Sequence, residues 1–398
     1  RRQRQMCIRD RFVAALVYCL TINIAIGMWA VIGMMVINVV SYFRFKAEIE
    51  VYFVCIKQVF SMCACAQSIL KSNIAGIKEY SEELSGLVHE FDGARRFSWI
   101  MATGRGGVLE FILDYIRMIT HLDIIKFCFV VNGLNRKKDA VWMLYNRLGY
   151  FDALIAAASY KKSLQYTCEP EFTDGSARVL DVQELYHPLI DEPVANSIRT
   201  DKSVLITGSN ASGKSTFLRS VGICALLSQT LGYATAKSYR AEKFRIYSSM
   251  ALKDNLLGSE SYYMVEIKSL KRIMDAAAVK SDYPVLCFID EVLRGTNTVE
   301  RIAASSQILK GLSCADTICF AATHDIELTG ILERYYSNYH FTEEITDNDV
   351  EFSYKLMKGR ATSRNAIKLL GLLGYEKSII SQATESAKHF EETGNWSL

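Results

Sequence analysis

Proline is nearly missing from this chain, with four residues in 398. Inside a helix proline removes a hydrogen bond and clashes with the preceding turn, so its scarcity fits a helix-rich protein. The eleven cysteines contain no Cys-x-x-Cys spacing; Cys63 and Cys65 are the closest pair and have no histidine beside them. Most of the rest (Cys19, Cys55, Cys128, Cys224, Cys287, Cys319) sit in apolar runs. That pattern argues against a zinc site or a disulfide framework and for reduced, packed thiols. A surplus of one charge sign is missing as well: 46 Lys and Arg face 43 Asp and Glu, a net charge of +3. Bulk charge therefore gives no argument for nucleic acid, and any basic surface has to be local. The chain opens Arg1-Arg2-Gln3-Arg4, without an initiator Met. Residues 1–11 read as a non-native or fragment start and carry no structural weight.

Charge of either sign is missing from Phe12 to Phe43. A membrane span needs about 20 apolar residues, so one transmembrane helix fits in 12–43. The run is too long for the apolar region of a signal peptide and lacks a convincing cleavage site. Arg44 and Lys46 follow at once and place the C-terminal side in the cytoplasm by the positive-inside rule.

Residues 44–169 read as helices. Apolar residues recur at three- and four-residue spacing in Ile49–Leu70, Ile77–Phe91 and Val108–Phe129. Thr103–Gly107 marks a loop. The cluster Asn135–Asp139 heads a helix over Ala140–Leu148; a solvated helix start explains it better than a phosphate contact. A further helix is predicted over Phe151–Lys162. Pro170 and Gly175 mark the domain boundary. Beyond it, short strands at Ala177–Gln183, Val204–Thr207, Phe244–Ser248, Val285–Ile289 and Thr317–Ala322 alternate with helical patterns. A hairpin is predicted over Tyr336–Phe341 and Val350–Leu356. The alternation implies an α/β domain with a mostly parallel sheet over 170–383, followed by a tail at 384–398.

The stretch Val204–Thr216 places a Gly-bounded loop between a β-branched apolar run and an amphipathic segment. Its spacing, Gly208-x-x-x-x-Gly213-Lys214-Ser215, is that of a P-loop. Gly208 and Gly213 let backbone N–H groups turn toward phosphate. Lys214 supplies a point cation, Ser215 a hydroxyl for Mg²⁺, and the helix N-terminus a site for negative charge. The run Val285–Ile289 then ends in Asp290-Glu291. Asp290 suits Mg²⁺ and Glu291 suits polarisation of an attacking water. The next apolar run ends in Thr323-His324, where a histidine can reach a γ-phosphate.

This ordered set resembles the ATPase domain of the MutS family, the DNA mismatch-repair branch of the ABC-like ATPases. The similarity runs from about Leu148 to Ala383. It is carried by His187-Pro188; the P-loop with Asn210, Ser212 and Thr216; Ser261-Tyr262-Tyr263-Met264-Val265-Glu266; Asp290-Glu291-Val292-Leu293-Arg294-Gly295-Thr296 with Asn297-Thr298; and Ala322-Thr323-His324. The resemblance implies binding of ATP and Mg²⁺ in a composite site within a homodimer. The P-loop residues Gly208, Asn210, Ser212, Gly213, Lys214, Ser215 and Thr216 would hold the nucleotide. Ser261 would reach the γ-phosphate of the other copy, and Asn297 would line the interface. Ser215 and Asp290 would hold the metal, and Glu291 and His324 would serve hydrolysis. It further implies coupling to DNA, with residues 44–169 as a core or lever region. A stretch corresponding to the family's adenine-stacking aromatic reads Glu192-Pro193-Val194. The alternative is a membrane-bound, ATP-driven switch acting on a protein or lipid partner without mismatch recognition. A transporter ATPase is disfavoured, because one span forms no translocation path and the signature is not Leu-Ser-Gly-Gly-Gln.

Overall fold

The computed structural model describes residues 24–72, 78–95, 122–173, 178–209, 212–250, 262–293, 296–313, 316–345, 350–361 and 374–396, with 14, 76, 367 and 370 singly. The chain divides into two compact units, Arg1–Ala156 and Ala157–Leu398.

The first unit is helical. Helix α1 spans Ile24–Lys71 without a break. The sequence predicted a separate helix from Ile49, but Arg44–Glu48 contains no helix breaker, so the two join. Helices α2 (Lys78–Glu90), α3 (Asp92–Arg95), α4 (Leu122–Asn135) and α5 (Lys138–Ser163) follow. The two helices predicted over Ala140–Leu148 and Phe151–Lys162 are the single helix α5. Gly149 within it costs about 1 kcal/mol relative to Ala, which burial of Leu144 and Phe151 on either side offsets. One apolar cluster joins Cys63 and Ala66 of α1, Leu84, Leu87 and Val88 of α2, Phe91, and Ala140, Leu144 and Phe151 of α5. A smaller one joins Ile56 to Phe127 and Val130 of α4. Arg147 donates to both carboxylate oxygens of Glu83 at 2.7 and 2.5 Å and lies 4.8 Å from the centre of the Tyr80 ring. The predicted loop Thr103–Gly107 lies outside the described residues.

Among the described residues, the helix segment long and apolar enough to cross a membrane by length and composition is Tyr52–Lys71, with mean hydropathy 1.5. It lies C-terminal to the span expected at Phe12–Phe43, only part of which falls in the described residues. Its Ile56, Cys63 and Ala66 are packed in the two clusters above.

The second unit is α/β. Strands β1 (Glu171–Phe172), β2 (Leu180–Leu185), β3 (Asn196–Thr200) and β4 (Ser203–Thr207) precede helix α6 (Lys214–Leu231). Strands β5 (Ser238–Ala241) and β6 (Arg245–Ser249), helix α7 (Tyr262–Ala278) and strand β7 (Val285–Asp290) follow. Then come α8 (Thr298–Leu312), β8 (Thr317–Ala322), α9 (Glu327–Ile331), β9 (Tyr336–Ile345), β10 (Val350–Lys358) and α10 (Lys377–Thr393).

The main sheet has the order β10-β9-β4-β8-β7-β6. Its pairings are parallel except the β9–β10 hairpin. Side chains alternate between two cores, as a sheet covered on both faces requires. Val204, Ile206, Leu286, Phe288, Ile318 and Phe320 join α6 in one core. Leu205, Cys287, Ile289, Cys319 and Ala321 join α7 and α8 in the other. Helix α6 approaches the sheet closely at Gly222, where a Cβ would lie 3.2 Å from the Phe288 ring.

A second, four-stranded sheet, ordered β1-β5-β2-β3, shares the α6 core through Leu180, Val182, Ile198 and Tyr239. The predicted strand Ala177–Gln183 begins three residues and ends two residues further on, at Leu180–Leu185. Strands β1, β3 and β5 have no counterpart in the sequence reading, being short and half polar.

Candidate nucleotide site

The site stands at the C-terminal ends of the parallel strands, where loops after β4, β7 and β8 converge. Strand β4 is wholly buried and delivers the chain into Gly208, whose φ is +146°. A Cβ on Gly208 would meet Ser212 Oγ at 2.9 Å and the Phe341 carbonyl oxygen at 3.1 Å, so only glycine fits. Gly213 has φ +107° and a Cβ there would press on the Tyr354 ring at 3.2 Å. Gly213 also caps α6 without any side-chain hydrogen bond, so that helix end has no side-chain acceptor of its own.

The loop is closed on itself. Lys214 Nζ donates to the carbonyl oxygens of Gly208 at 2.8 Å and Ser209 at 2.6 Å. Ser212 Oγ donates to the Ser209 carbonyl at 2.9 Å. Ser209 Oγ donates to the Glu343 carboxylate, reaching across from β9. Burial lowers the Lys214 pKa to about 8, with the carboxylates of Glu291, Asp290 and Glu343 pulling the other way. Ser215 and Thr216 follow in the first turn of α6, both half-buried. Asn210 lies outside the described residues.

Asp290 is the last residue of β7, in register with Ala322 of β8. The turn that follows is strained: Glu291 has φ +60° and Leu293 φ +56°. A left-handed conformation costs a residue with a Cβ about 1–2 kcal/mol. Three neighbours hold it. The Glu291 N–H donates to the Ala322 carbonyl at 3.0 Å. The Leu293 N–H donates to Glu266 Oε1 at 2.6 Å, and Ser305 Oγ of α8 donates to the Val292 carbonyl at 3.3 Å. The Glu266 side chain that accepts this bond is only 2% exposed.

His324 Nε2 lies 3.1 Å from Glu291 Oε1. Its position is set from both sides. The Thr323 N–H donates to the Ile206 carbonyl at 3.0 Å, and the Asp325 N–H donates to Thr323 Oγ1 at 3.0 Å. Asn297 is exposed and caps α8, its side chain accepting from the Val299 N–H at 3.0 Å. His187 Nδ1 accepts from the Leu189 N–H at 3.3 Å, and burial, then the Arg219 charge, lowers its pKa.

The structure thus brings Lys214, Ser215, Asp290, Glu291 and His324 to one edge of the sheet. Asn297 stands at the start of α8. Ser261, Arg294 and Gly295 lie outside the described residues. Three further features were missed in the sequence: the Glu343 contact with the loop, the Glu266 bond to Leu293, and Tyr354 against Gly213. Tyr354 has φ +51° and stands where the β9–β10 register shifts between Phe352 and Leu356. Single residues on a hairpin carry no sequence signal for such an approach.

A mostly parallel sheet with a glycine-bounded loop closed by its lysine before α6 defines a P-loop domain. Residues 204–391 match the family model described as MutS domain V. The DNA mismatch repair protein MutS of Aquifex pyrophilus is 31% identical over 265 residues, 62% of this chain and 30% of that protein. The MutS protein homolog 4 of Homo sapiens is 28% identical over 291 residues, 68% of this chain and 30% of that protein. The DNA mismatch repair protein MutS of Lactobacillus acidophilus is 30% identical over 298 residues, 71% of this chain and 34% of that protein. The α/β unit therefore belongs to the MutS family, as an ATPase domain of the mismatch-repair kind. The chain spans about a third of the length of these curated relatives.

Proposed function

We propose that the α/β unit binds ATP with Mg²⁺ at Gly208–Thr216 and hydrolyses it, in a site completed by a second copy of the chain, and couples that cycle to DNA. The observation that carries the proposal is the Glu291–His324 pair, 3.1 Å apart, with the field of Glu291 reaching Lys214 of the P-loop.

The residues fit the nucleotide and the metal. Both glycines hold conformations that a side chain would obstruct, and the N-terminal end of α6 has no side-chain cap. The donor set of one hydroxyl, Ser215, and one carboxylate, Asp290, suits a hard cation that keeps most of its waters. Mg²⁺ held there would neutralise charge on the phosphates. Lys214 exchanges its two loop carbonyls for phosphate oxygens when ATP enters. Glu291 Oε1 accepts a proton from the attacking water, and His324, hydrogen-bonded to that same oxygen, fixes its direction. The strained turn, held by Glu266, keeps the carboxylate at the strand end.

Support for the second copy comes from α8. Asn297 is exposed, and beside it Val299 is 76% exposed. An apolar side chain in that position suits an interface, and Ser261 of the other copy would then face the γ-phosphate. Coupling to DNA rests on the family relationship. Nucleotide binding should disappear in Lys214→Met. Binding to homoduplex, mismatched and branched DNA should fall steeply with added salt, by counterion release. Absence of DNA binding at low salt would leave the membrane-bound switch as the better account. One observation favours that account: α1 turns Met28, Trp29, Ile32, Val36, Ile37 and Val40 outward, as a helix within lipid does. A membrane tether through this helix would leave Arg44, Lys46 and the ATPase domain all on the cytoplasmic side.

A further inference from the structure

We propose that Arg301 and Asp325 form a positioning pair that holds His324 against Glu291 and ties both to the Asn297 end of α8. The inference rests on the ATPase reading for its functional meaning, while the pairing itself stands on geometry.

Arg301 donates from Nε to Asp325 Oδ2 at 2.9 Å and from Nη2 to Asp325 Oδ1 at 2.6 Å. This is the two-pronged arrangement that fixes direction as well as distance. The side chains are 24% and 12% exposed, so solvent screens the pair less than a surface ion pair. Asp325 follows His324 directly. On the other side of His324, Thr323 is buried and bonded to the Ile206 carbonyl of β4. The backbone around His324 is thus pinned to the sheet through Thr323 and to α8 through Asp325.

Arg301 is also tied to the N-terminal end of α8. Its N–H donates to the Asn297 carbonyl at 2.8 Å, one helical turn from the cap. Asn297 is the residue that faces the second copy in the proposed dimer. A shift of the α8 N-terminus therefore moves Arg301, and the guanidinium carries that shift to Asp325 and the His324 turn. The charges agree: the carboxylates that face Arg301 are Asp325, Glu327 and Glu291. Without the guanidinium, Asp325 is released beside His324 and competes with Glu291 for the imidazole.

Lysine keeps the charge of arginine but cannot make the fork. The test is therefore made on Arg301→Ala and Arg301→Lys in the full chain, with two readouts. Amide hydrogen exchange across Thr323–Asp325 should speed up in both variants, with β8 itself unchanged. Steady-state hydrolysis should show kcat lower by about 10- to 100-fold in Arg301→Ala. The ATP dissociation constant should stay within about twofold, with Arg301→Lys intermediate in kcat. Unchanged exchange in Arg301→Ala overturns the pairing, whatever the hydrolysis rate. Full kcat in Arg301→Lys overturns the need for the fork. A wild-type protein that binds ATP but does not hydrolyse it sinks the ATPase reading instead, and the exchange result still decides the pairing.

Discussion

The backbone N–H of Leu293 is held by Oε1 of Glu266 at 2.6 Å, across 27 residues of sequence. Through this bond helix α7, which begins just after Ser261, grips the strained turn that presents Glu291. Glu266→Ala should remove this hydrogen bond and leave a buried N–H without its acceptor, a loss of about 1–3 kcal/mol. The turn strain is of similar size, so the left-handed residues should relax and Glu291 should swing away. Glu266→Gln keeps an acceptor oxygen and should retain most of the stability. Thermal unfolding and ATP turnover of the two variants check this; equal losses in both would contradict it.

Lys214 should make nucleotide binding pH-dependent. Its pKa in the folded chain is about 8, below the ordinary lysine value of 10.5. Between those values the unfolded chain binds more protons than the folded one, so stability of the nucleotide-free protein rises with pH across that window. ATP requires the ammonium form, so its affinity should fall above about pH 8. Lys214→Arg stays charged and should lose that pH dependence. Equilibrium titrations of both proteins between about pH 7 and pH 9 check the difference.

Glu343 places a carboxylate against the P-loop, on Ser209. A negative charge there opposes a triphosphate. Glu343→Gln should tighten ATP binding by roughly 3- to 10-fold, on the scale of one partly screened charge. The gain should shrink at high salt. Unchanged or weaker binding would mean that Glu343 holds the loop in its binding form.

Val299, exposed beside Asn297, supplies a test of the second copy. Val299→Asp should abolish ATP-dependent dimerisation in sedimentation while leaving the monomer folded. Persistence of an ATP-dependent dimer would place the interface elsewhere.

Much of the α/β unit was legible in the sequence because its central strands are continuous apolar runs. Val204–Thr207, Val285–Ile289 and Thr317–Ala322 have to be buried on both faces, and they are. Asp290, Glu291 and His324 could be picked out because they follow such runs directly, and Lys214 because it closes the Gly208-x-x-x-x-Gly213-Lys214 spacing. The second sheet could not. Its strands β1, β3 and β5 are two to five residues of mixed polarity, stabilised by contacts with α6 rather than by local pattern. The bonds Glu266–Leu293 and Arg301–Asp325 join positions 27 and 24 residues apart. No periodicity encodes such pairs; packing of α7 on the sheet brings the first together, and the pairing of β7 with β8 the second. In the helical unit the apolar periodicity found α1, α2 and α5 but misplaced the breaks at Phe43 and Gly149, where neighbouring burial outweighed local propensity.

The central claim is that Glu291 drives hydrolysis at this P-loop. The direct measurement is single-turnover hydrolysis of Mg·ATP by wild type and Glu291→Gln, with ATP affinity measured on the same samples. The account predicts Mg²⁺-dependent hydrolysis by wild type. It predicts a loss of about 100-fold or more in Glu291→Gln, with ATP bound as tightly and held in a closed dimer. Hydrolysis by Glu291→Gln at the wild-type rate would contradict it.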